Sequence, residues 1–365
     1  MRTAVIAGTG LIGTSIALAL RERGITTYLT DADPAALQTA EALGAGRAEQ
    51  PREVADIAIL AVPPVRVAPV LAMLQKRGTA RFYTDVASVK GLPSERIEAL
   101  GCDLTSVVGG HPLAGGERSG PLAARADLFE GRPWVLVPSA ATSDSALNCA
   151  LELTALCGAT PVLFDAEDHD RAVALVSHAP HLIASLAAAR LLDGNESALR
   201  LAGQGLRDVT RIAGGSPALW TDILSANAGP VADVLEAFAG DVLEAVAALR
   251  RSAEGRGGEP ELSEALQRGV DGRARIPGKH GVPDAAFTAV EVSVGDSPGE
   301  LARLFTDVAA AGANIEDIGI DHSAKQLLGR ASLAVAAGTE HALAQELRHR
   351  GWAAQASNWP GGRGA

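Results

Sequence analysis

The stretch Gly8-Thr9-Gly10-Leu11-Ile12-Gly13 decides the fold class of this chain. It follows a short apolar run at residues 4–7 and opens an apolar segment with helical spacing, which is the context in which a Gly-x-Gly-x-x-Gly motif binds a dinucleotide. The first glycine permits a tight turn, the second lets the backbone approach a pyrophosphate, and the third allows the helix to pack closely on the strand. Free amide groups at the start of that helix favour a bound phosphate. The motif therefore predicts a Rossmann-type nucleotide site.

An acidic residue after the second apolar run indicates which dinucleotide binds. Asp31 follows Gly13 by 18 positions, where a carboxylate accepts hydrogen bonds from the adenosine ribose and repels a 2′-phosphate. NAD is therefore predicted over NADP, and Asp33 is an alternative for the same role. The predicted cofactor-binding residues are Gly8, Gly10, Leu11, Ile12, Gly13, Asp31 and Val62.

The pattern of apolar runs divides the chain into four regions. Residues 1–165 alternate six short apolar runs with helical patterns, which predicts an α/β domain built on a doubly wound parallel sheet. Residues 166–250 carry Ala/Leu-rich helical patterns and predict an all-helical domain. Gly- and Arg-rich residues 251–285 predict a linker with one short helix. The order strand, helix, two strands, helix and final strand at residues 286–357 predicts a small α+β, ferredoxin-like domain.

The composition excludes several classes of protein. With 365 residues that are 47% hydrophobic and 21% charged, the chain has enough apolar material for two or three folded domains. A formal charge of −11 and only 3% aromatic residues argue against a nucleic-acid groove or an anionic membrane surface. The three cysteines include no Cys-x-x-Cys pair, so they give no metal signature and suit a reducing compartment. Residues 4–20 imitate a signal peptide, but their glycines fit the nucleotide loop better, and a cytoplasmic protein is predicted.

Two segments at the ends of later strands carry residues suited to hydride-transfer chemistry. They are residues 84–90 and 109–115, and the carboxyl ends of strands face the ligand crevice in a doubly wound sheet. His111, in a glycine-flanked loop before a proline, can take a proton from a substrate hydroxyl as hydride leaves. The alternative is a loop histidine that bonds only to backbone. Ser88 could hydrogen-bond the same hydroxyl, orient the imidazole, or only cap the following helix.

The helical region begins with a cluster of histidines. At about 100° per residue, His178 and His181 share one helix face, and His169 lies nearly opposite His178. Pro180 predicts a kink, because it cannot donate to the carbonyl four residues earlier. A metal pair lacks a suitably spaced third ligand, so no metal is predicted, and buried hydrogen-bonded histidines are the main alternative to a functional site.

A pair of arginines follows in the same region. Arg207 and Arg211 are four residues apart on one helix face, and a planar guanidinium binds a carboxylate through two hydrogen bonds. Two such groups aimed at a cleft suit a dicarboxylate. A surface pair bridged to Asp208 or to glutamates is the alternative.

Together these motifs resemble the prephenate/arogenate dehydrogenase family of tyrosine biosynthesis. The resemblance rests on GTGLIGTS, TDVASVK, GGHPLAGGE, HDRAVALVSHAPH and GLRDVTRIAGGSPALW, which occur in the family's order over nearly the whole chain. It implies NAD-dependent oxidative decarboxylation of prephenate to 4-hydroxyphenylpyruvate, or of arogenate to tyrosine. The residues do not decide between the two substrates.

The resemblance also implies roles for individual residues. His111 and Ser88 would act at the ring hydroxyl, and the substrate-binding residues would be Arg211, His181, Arg207 and Glu117. Arg211 would hold a carboxylate, His181 would line the pocket, and Glu117 would be tied to gating of the site. Arg207 stands where a lysine would serve equally, so its role stays open.

The C-terminal region has a resemblance of its own. Residues 294–301 and 312–315 resemble an ACT domain, a regulatory module that binds amino acids. The resemblance implies that tyrosine is an effector bound through Asp296 and Asn314, and that the protein is a homodimer.

Two other functions fit parts of the chain. A β-hydroxyacid-type dehydrogenase shares this architecture but uses a helical lysine, and no lysine occurs between Lys90 and Lys279. A catalytically silent NAD-dependent sensor of amino acids would have no need of His111, Ser88 and Arg211.

Overall fold

Seven strands form one sheet in the amino-terminal part of the computed structural model, which describes residues 1–115, 119–276, 287–321 and 328–358. The strands are β1 (Thr3–Ala7), β2 (Thr26–Thr30), β3 (Ala55–Leu60), β4 (Ala80–Asp85), β5 (Val107–Pro112), β6 (Pro133–Pro138) and β7 (Thr160–Leu163). The helices of this part are α1 (Leu11–Glu22), α2 (Pro34–Ala42), α3 (Pro64–Lys76), α4 (Gly91–Ala99) and α5 (Asp144–Leu156). The strand order β2-β1-β3-β4-β5-β6-β7 is that of a Rossmann-type doubly wound sheet. The predicted α/β fold class is confirmed.

The far edge of the sheet differs from the fully parallel sheet predicted. Strands β1 to β5 are parallel, but β6 pairs antiparallel to β5, and β7 is parallel to β6. A parallel connection needs a crossover of a dozen or more residues, usually a helix. The described residues between β5 and β6 contain only a short 3-10 turn at Pro121–Ala123, so the chain reverses there. Strand β7 was not predicted, because it is a mostly exposed four-residue edge strand with a proline.

The sheet is covered on both faces by apolar side chains. One core cluster includes Ile6, Ile16, Ile59 and Trp134, and the other includes Val5, Ala58 and Leu71. The neighbours Ala58 and Ile59 therefore belong to different clusters, as alternate residues of a strand do. Burial on both faces explains why these strands read as continuous apolar runs.

The region after the sheet is entirely helical up to residue 253, apart from short turns. Its helices are α6 (Ala166–Val173), α7 (Ala179–Ala189), α8 (Glu196–Leu199), α9 (Gln204–Thr210), α10 (Pro217–Ala226) and α11 (Ala228–Ala253). A π turn at Ala174–His178 joins α6 to α7 directly before Pro180. The backbone irregularity predicted at this proline therefore takes the form of a π turn.

The segment predicted as a linker contains a long helix. Helix α12 (Glu259–Ala274) has 16 residues, where one short helix was expected. None of its residues is buried, so it lacks the apolar stripe that identifies a helix from sequence. Arg268 pairs with Asp241 of α11, and Gly258 has a φ of +121°. A Cβ at Gly258 would lie 2.3 Å from the carbonyl oxygen of Ala248. Glycine is therefore required where the chain turns back.

The last part of the chain is a four-stranded antiparallel sheet with two helices. Its elements are β8 (Phe287–Gly295), α13 (Glu300–Ala310), β9 (Asp317–Asp321), β10 (Leu328–Ala336), α14 (Glu340–His349) and β11 (Ala354–Asn358). The strand order is β11-β8-β10-β9, and a separate core includes Val290, Leu304, Leu333 and Trp352. The predicted α+β pattern is confirmed here.

The chain consists of two compact units, Met1–Ala239 and Gly240–Ala365. The predicted boundaries at residues 165, 250 and 285 remain predictions. One helical run of the described chain, residues 166–193, is long and apolar enough to cross a membrane by length and composition. It contains the buried polar side chains of His169, Asp170, His178 and His181, all of which have partners within the fold.

Candidate active site

The loop between β1 and α1 has the geometry that the glycine motif predicts. Gly8 has a φ of +104°, and a Cβ there would lie 2.1 Å from the carbonyl oxygen of Ala61. A Cβ at Gly13 would lie 1.9 Å from the carbonyl oxygen of Gly8, which forces the helix against the loop. By contrast, a Cβ at Gly10 would meet nothing within 4 Å. Gly10 is the N-cap of α1 and supplies no side-chain cap, so the first amide groups of the helix suit a bound pyrophosphate.

The two acidic residues after β2 have different structural roles. Asp31 Oδ2 accepts hydrogen bonds from the backbone N–H and the hydroxyl of Thr9, at 2.5 and 2.8 Å, which fix the carboxylate beside the glycine loop. Asp33 instead caps α2 by accepting from the N–H of Ala35. Asp31 therefore stays the better placed of the two for a ribose. The side chain of Val62 lies against Gly8, and Leu11 and Ile12 open α1.

His111 lies on strand β5 and not in a loop as predicted. It pairs with Val135 of β6, and its ring is partly buried. The two preceding glycines made the segment look like a loop, but each is needed for packing. A Cβ at Gly110 would lie 2.6 Å from the carbonyl oxygen of Asp85, and one at Gly109 would lie 3.3 Å from Cδ of Lys90.

A hydrogen-bonded chain runs from His111 to a buried carboxylate. Nδ1 of His111 lies 2.9 Å from Nε2 of His169, and Nδ1 of His169 lies 2.8 Å from Oδ1 of Asp170. Burial, together with the charges of Lys90, His169 and His178, holds the pKa of His111 well below its usual range. The imidazole is therefore neutral and able to accept a proton at neutral pH.

Lys90 is a fully buried cation behind His111. Its ammonium group pairs with the carboxylate of Asp85 and donates to the carbonyl oxygen of Gly110 at 2.6 Å. Burial lowers the pKa of Lys90, while the Asp85 carboxylate opposes that shift. Through these two contacts Lys90 links the end of β4 to β5, next to His111.

Asp170 also starts helix α4. Its Oδ1 accepts the N–H of Lys90 and its Oδ2 accepts the N–H of Gly91, each at 2.8 Å. Helix α4 begins at Gly91 with no side-chain cap from its N-cap residue. Ser88 is therefore not the cap of this helix, and it stays half-buried in the loop before α4.

A second chain of contacts leads to His181. The buried amide of Asn227 donates to the carbonyl oxygen of Asp170 at 2.8 Å and lies 3.1 Å from Nδ1 of His178. The ring of Trp220 meets His178 edge-on and stacks on His181 at a centroid distance of 3.5 Å. His178 and His181 do share one face, as predicted.

The opposite faces predicted for His169 and His178 stay a prediction. A π turn at Ala174–His178 lies between the two residues, and such a turn has one more residue per hydrogen-bonded turn than an α-helix. Both histidines lower the pKa of His111. The described part of the chain holds no group of three or more His, Cys, Asp or Glu residues that could bind a metal ion.

The predicted arginines lie near the helix that carries His181. Arg211 begins a 3-10 turn, Arg211–Gly214, which packs against α7, and Arg207 lies on α9. Both arginines are exposed. Asp208, the suggested partner of the arginines, accepts a hydrogen bond from Gln204. Glu117 lies outside the described residues.

Sequence reasoning assigned no role to Lys90, Asp170, Trp220 or Asn227, which the fold brings to this site. The first three lie within the motifs that carry the family resemblance, so the motifs could have marked them as candidate site residues. Asn227 lies outside those motifs and gave none.

Comparisons with known proteins agree on one family. The family described as prephenate dehydrogenase, nucleotide-binding domain, matches residues 16–163, and the family's dimerization domain matches residues 165–268. A probable prephenate dehydrogenase of Streptomyces niveus is 51% identical over 360 residues, 97% of this chain and 99% of the relative. The prephenate dehydrogenase of Bacillus subtilis is 30% identical over 340 residues, 90% of each chain.

Solved structures give the same result. The crystal structure of prephenate dehydrogenase from A. aeolicus with hydroxyphenyl propionate and NAD+ has a TM-score of 0.66 at 28% identity, covering 75% of this chain and 97% of that one. The structure of Synechocystis arogenate dehydrogenase has a TM-score of 0.62 at 29% identity, covering 74% and 98%.

Proposed function

This chain belongs to the prephenate dehydrogenase family, a class of NAD-dependent oxidoreductases, and we propose that it converts prephenate to 4-hydroxyphenylpyruvate by oxidative decarboxylation in tyrosine biosynthesis. The observation that carries the proposal is the position of His111 on β5, with Nδ1 of its ring 2.9 Å from Nε2 of His169. A neutral imidazole at the end of β5 is suited to remove a hydroxyl proton while hydride leaves the same carbon.

The chemistry needs little beyond a base and cationic anchors. NAD, when bound at the Gly10 loop, accepts the hydride. His111 takes the proton of the ring hydroxyl, and Ser88 assists at that hydroxyl. Once the ring carbon becomes carbonyl-like, loss of carbon dioxide makes the ring aromatic, which drives the reaction without a metal. Arg211 holds a substrate carboxylate, and His181, stacked on Trp220, lines the pocket.

The test of the reaction is NADH formation with prephenate. The purified protein should produce NADH and carbon dioxide in equal amounts. His111→Asn should lower kcat about 10²–10⁴-fold, because Asn cannot take the proton. His341→Asn, at an exposed histidine, is the matched control and should keep wild-type activity. Absence of turnover by the wild-type protein on both prephenate and arogenate would favour the alternative of a non-catalytic NAD and amino-acid sensor.

Arogenate is the runner-up substrate, because it differs from prephenate only by an amino group in place of the side-chain keto group. The structural relatives include both a prephenate and an arogenate dehydrogenase. Measuring kcat/KM for both substrates in parallel decides the preference.

We further propose that tyrosine regulates the enzyme through an ACT-like C-terminal domain. A cavity of about 460 Å³ is lined there by Asp296, Pro298, Gly299, Leu301 and Gly329, among others. An exposed carboxylate at such a cavity suits the ammonium group of an amino acid. Asn314, the second predicted effector residue, is exposed and donates to Glu316.

Tyrosine should inhibit the wild-type enzyme, and Asp296→Ala should raise the half-inhibitory concentration about tenfold, equivalent to about 1.4 kcal/mol, without changing kcat. Glu346→Ala removes a carboxylate elsewhere in the same domain and should leave inhibition intact. Equal inhibition of all three proteins would disprove an effector site at Asp296.

The match to a dimerization domain supports a homodimer. We propose a cytoplasmic homodimer, in keeping with the biosynthetic relatives.

A further inference from the structure

The buried carboxylate of Asp170 determines which atoms donate and which accept in the hydrogen-bonded series His111–His169–Asp170. Burial by itself raises the pKa of Asp170, but hydrogen bonds from His169 and from the N–H groups of Gly91 and Lys90 outweigh it, so the pKa lies below its usual range. Both oxygens accept a backbone N–H, at 2.8 Å each, and a backbone N–H can only donate. Asp170 is therefore an ionised acceptor, and Nδ1 of His169 must donate to it.

This direction determines which nitrogen of His111 is free. When Nδ1 of a neutral His169 carries the proton, its Nε2 is an acceptor. Nδ1 of His111, at 2.9 Å, must then donate to that nitrogen, which leaves Nε2 of His111 with a lone pair. A base with its lone pair on Nε2 is the form that can take a proton from substrate.

Building on the proposed dehydrogenase function, we propose that Asp170 and His169 are positioning residues that set the tautomer of His111 and receive its positive charge during turnover. As Nε2 of His111 takes the hydroxyl proton, Nδ1 of His111 passes its own proton to Nε2 of His169. The charge then lies on a His169 imidazolium held by the Asp170 carboxylate, and His111 becomes neutral again with its proton on Nε2. No atom or electron is lost in this transfer.

The charges around His111 explain why such a partner is needed. The Lys90 ammonium behind β5 disfavours a cation on His111, and the strand neighbour Val135 offers no charge. Asp85 is engaged by Lys90. Of the carboxylates named at this site, Asp170 is the one linked to His111 through a hydrogen-bonded ring.

The first test replaces the carboxylate while keeping its size. Asp170→Asn should lower kcat about 10²–10⁴-fold, with little change in KM for prephenate. The amide of Asn can donate a hydrogen bond to Nδ1 of His169, so His169 is no longer held in the tautomer that accepts a proton at Nε2. The low-pH limb of kcat/KM should move to lower pH, because the cation formed on the histidines loses its counter-charge. Asp168→Asn is the matched control on the same helix, with an exposed side chain, and should behave as wild type.

The second test leaves the backbone contacts of Asp170 in place. His169→Gln retains an acceptor for Nδ1 of His111 but cannot receive its proton, so its kcat should fall below that of wild type. His169→Leu removes the acceptor as well. We expect Leu to cost about 10–100-fold more in kcat than Gln. Equal kcat for the two variants, or a folded Asp170→Asn with the wild-type pH profile, would overturn the proposal. If Asp170→Asn does not fold, the Gln and Leu pair still decides.

A direct measurement separates this proposal from the proposed function. Imidazole nitrogen NMR of the resting protein should show His111 protonated at Nδ1 and unprotonated at Nε2. The opposite tautomer overturns the relay even if prephenate is turned over. If the protein shows the expected tautomer but does not turn over prephenate or arogenate, the proposed dehydrogenase function is contradicted. The hydrogen-bonding direction from His111 to Asp170 would still stand.

Discussion

His111, His178 and His181 show how burial sets the charge of single residues in this fold. Burial lowers the pKa of each of them. For His178 the Asp170 carboxylate opposes the shift and His169 adds to it, which brings the pKa to about 4. The side chain is nearly inaccessible, and Nδ1 faces the amide of Asn227. The folded protein therefore holds a neutral His178 at a pH where the unfolded chain would protonate it.

This difference predicts a pH-dependent stability. The unfolded histidine titrates near 6.5, so the contribution is fully present above that pH and is lost as pH falls toward about 4. The full loss would be about 3 kcal/mol. Denaturation by urea between pH 8 and pH 4 should show a flatter stability profile for His178→Gln than for wild type. His341→Gln, at an exposed histidine, should not flatten it, and a wild-type slope in His178→Gln would contradict the assigned pKa.

At the scale of elements, two glycines where the loop meets α1 serve different purposes, Gly13 for folding and Gly10 for cofactor binding. Gly13→Ala should destabilise the protein by about 1–3 kcal/mol, because its Cβ would lie 1.9 Å from the Gly8 carbonyl oxygen and backbone must move. Gly10→Ala should leave stability unchanged, since its Cβ meets no atom within 4 Å, but should raise the KM for NAD by narrowing the approach to the pyrophosphate. Thermal unfolding and NAD titration of both variants check this. Equal effects on both quantities would contradict it.

The π turn at Ala174–His178 is a second element whose position follows from a nearby residue, Pro180. Pro180 has no N–H to donate, which favours a break in the α-helical ladder before it. His178, the last residue of this turn, shares the amide of Asn227 with the carbonyl oxygen of Asp170. The proline itself was visible in the sequence, while the π turn became apparent only in the folded helix.

At the scale of the whole molecule, the helical region exposes large apolar side chains. Leu192 and Leu201 are 88% and 85% exposed in the single chain, and they lie within the segment that matches a dimerization domain. We propose that these two side chains lie in the interface of a homodimer. We expect light scattering to give a mass about twice 37.2 kDa for the wild-type protein.

Leu201→Glu should shift this dimer toward monomer, because a carboxylate buried at an interface is costly. Leu122→Glu introduces the same charge at a leucine that is 82% exposed in the nucleotide-binding part, outside the dimerization match. It should leave the mass unchanged. A wild-type protein that is monomeric at all concentrations would contradict the homodimer.

The sequence alone determined the features that depend on near neighbours in the chain. The glycine loop, the alternation of strands and helices, and the C-terminal pattern each follow from spacing within a few residues, and the structure confirms them. The sequence did not reveal helix α12, because it buries no apolar face, or edge strand β7, because it is short and exposed.

Only the tertiary structure decided how the candidate site is connected. His111 meets His169 across 58 residues, and Asp170 reaches the backbone of Lys90 across 80. No local spacing encodes such contacts, because they arise where β5, the start of α4 and helix α6 pack together. The same packing explains why a glycine-rich segment forms a strand: Gly109 leaves room for the side chain of Lys90, and Gly110 for the carbonyl oxygen of Asp85.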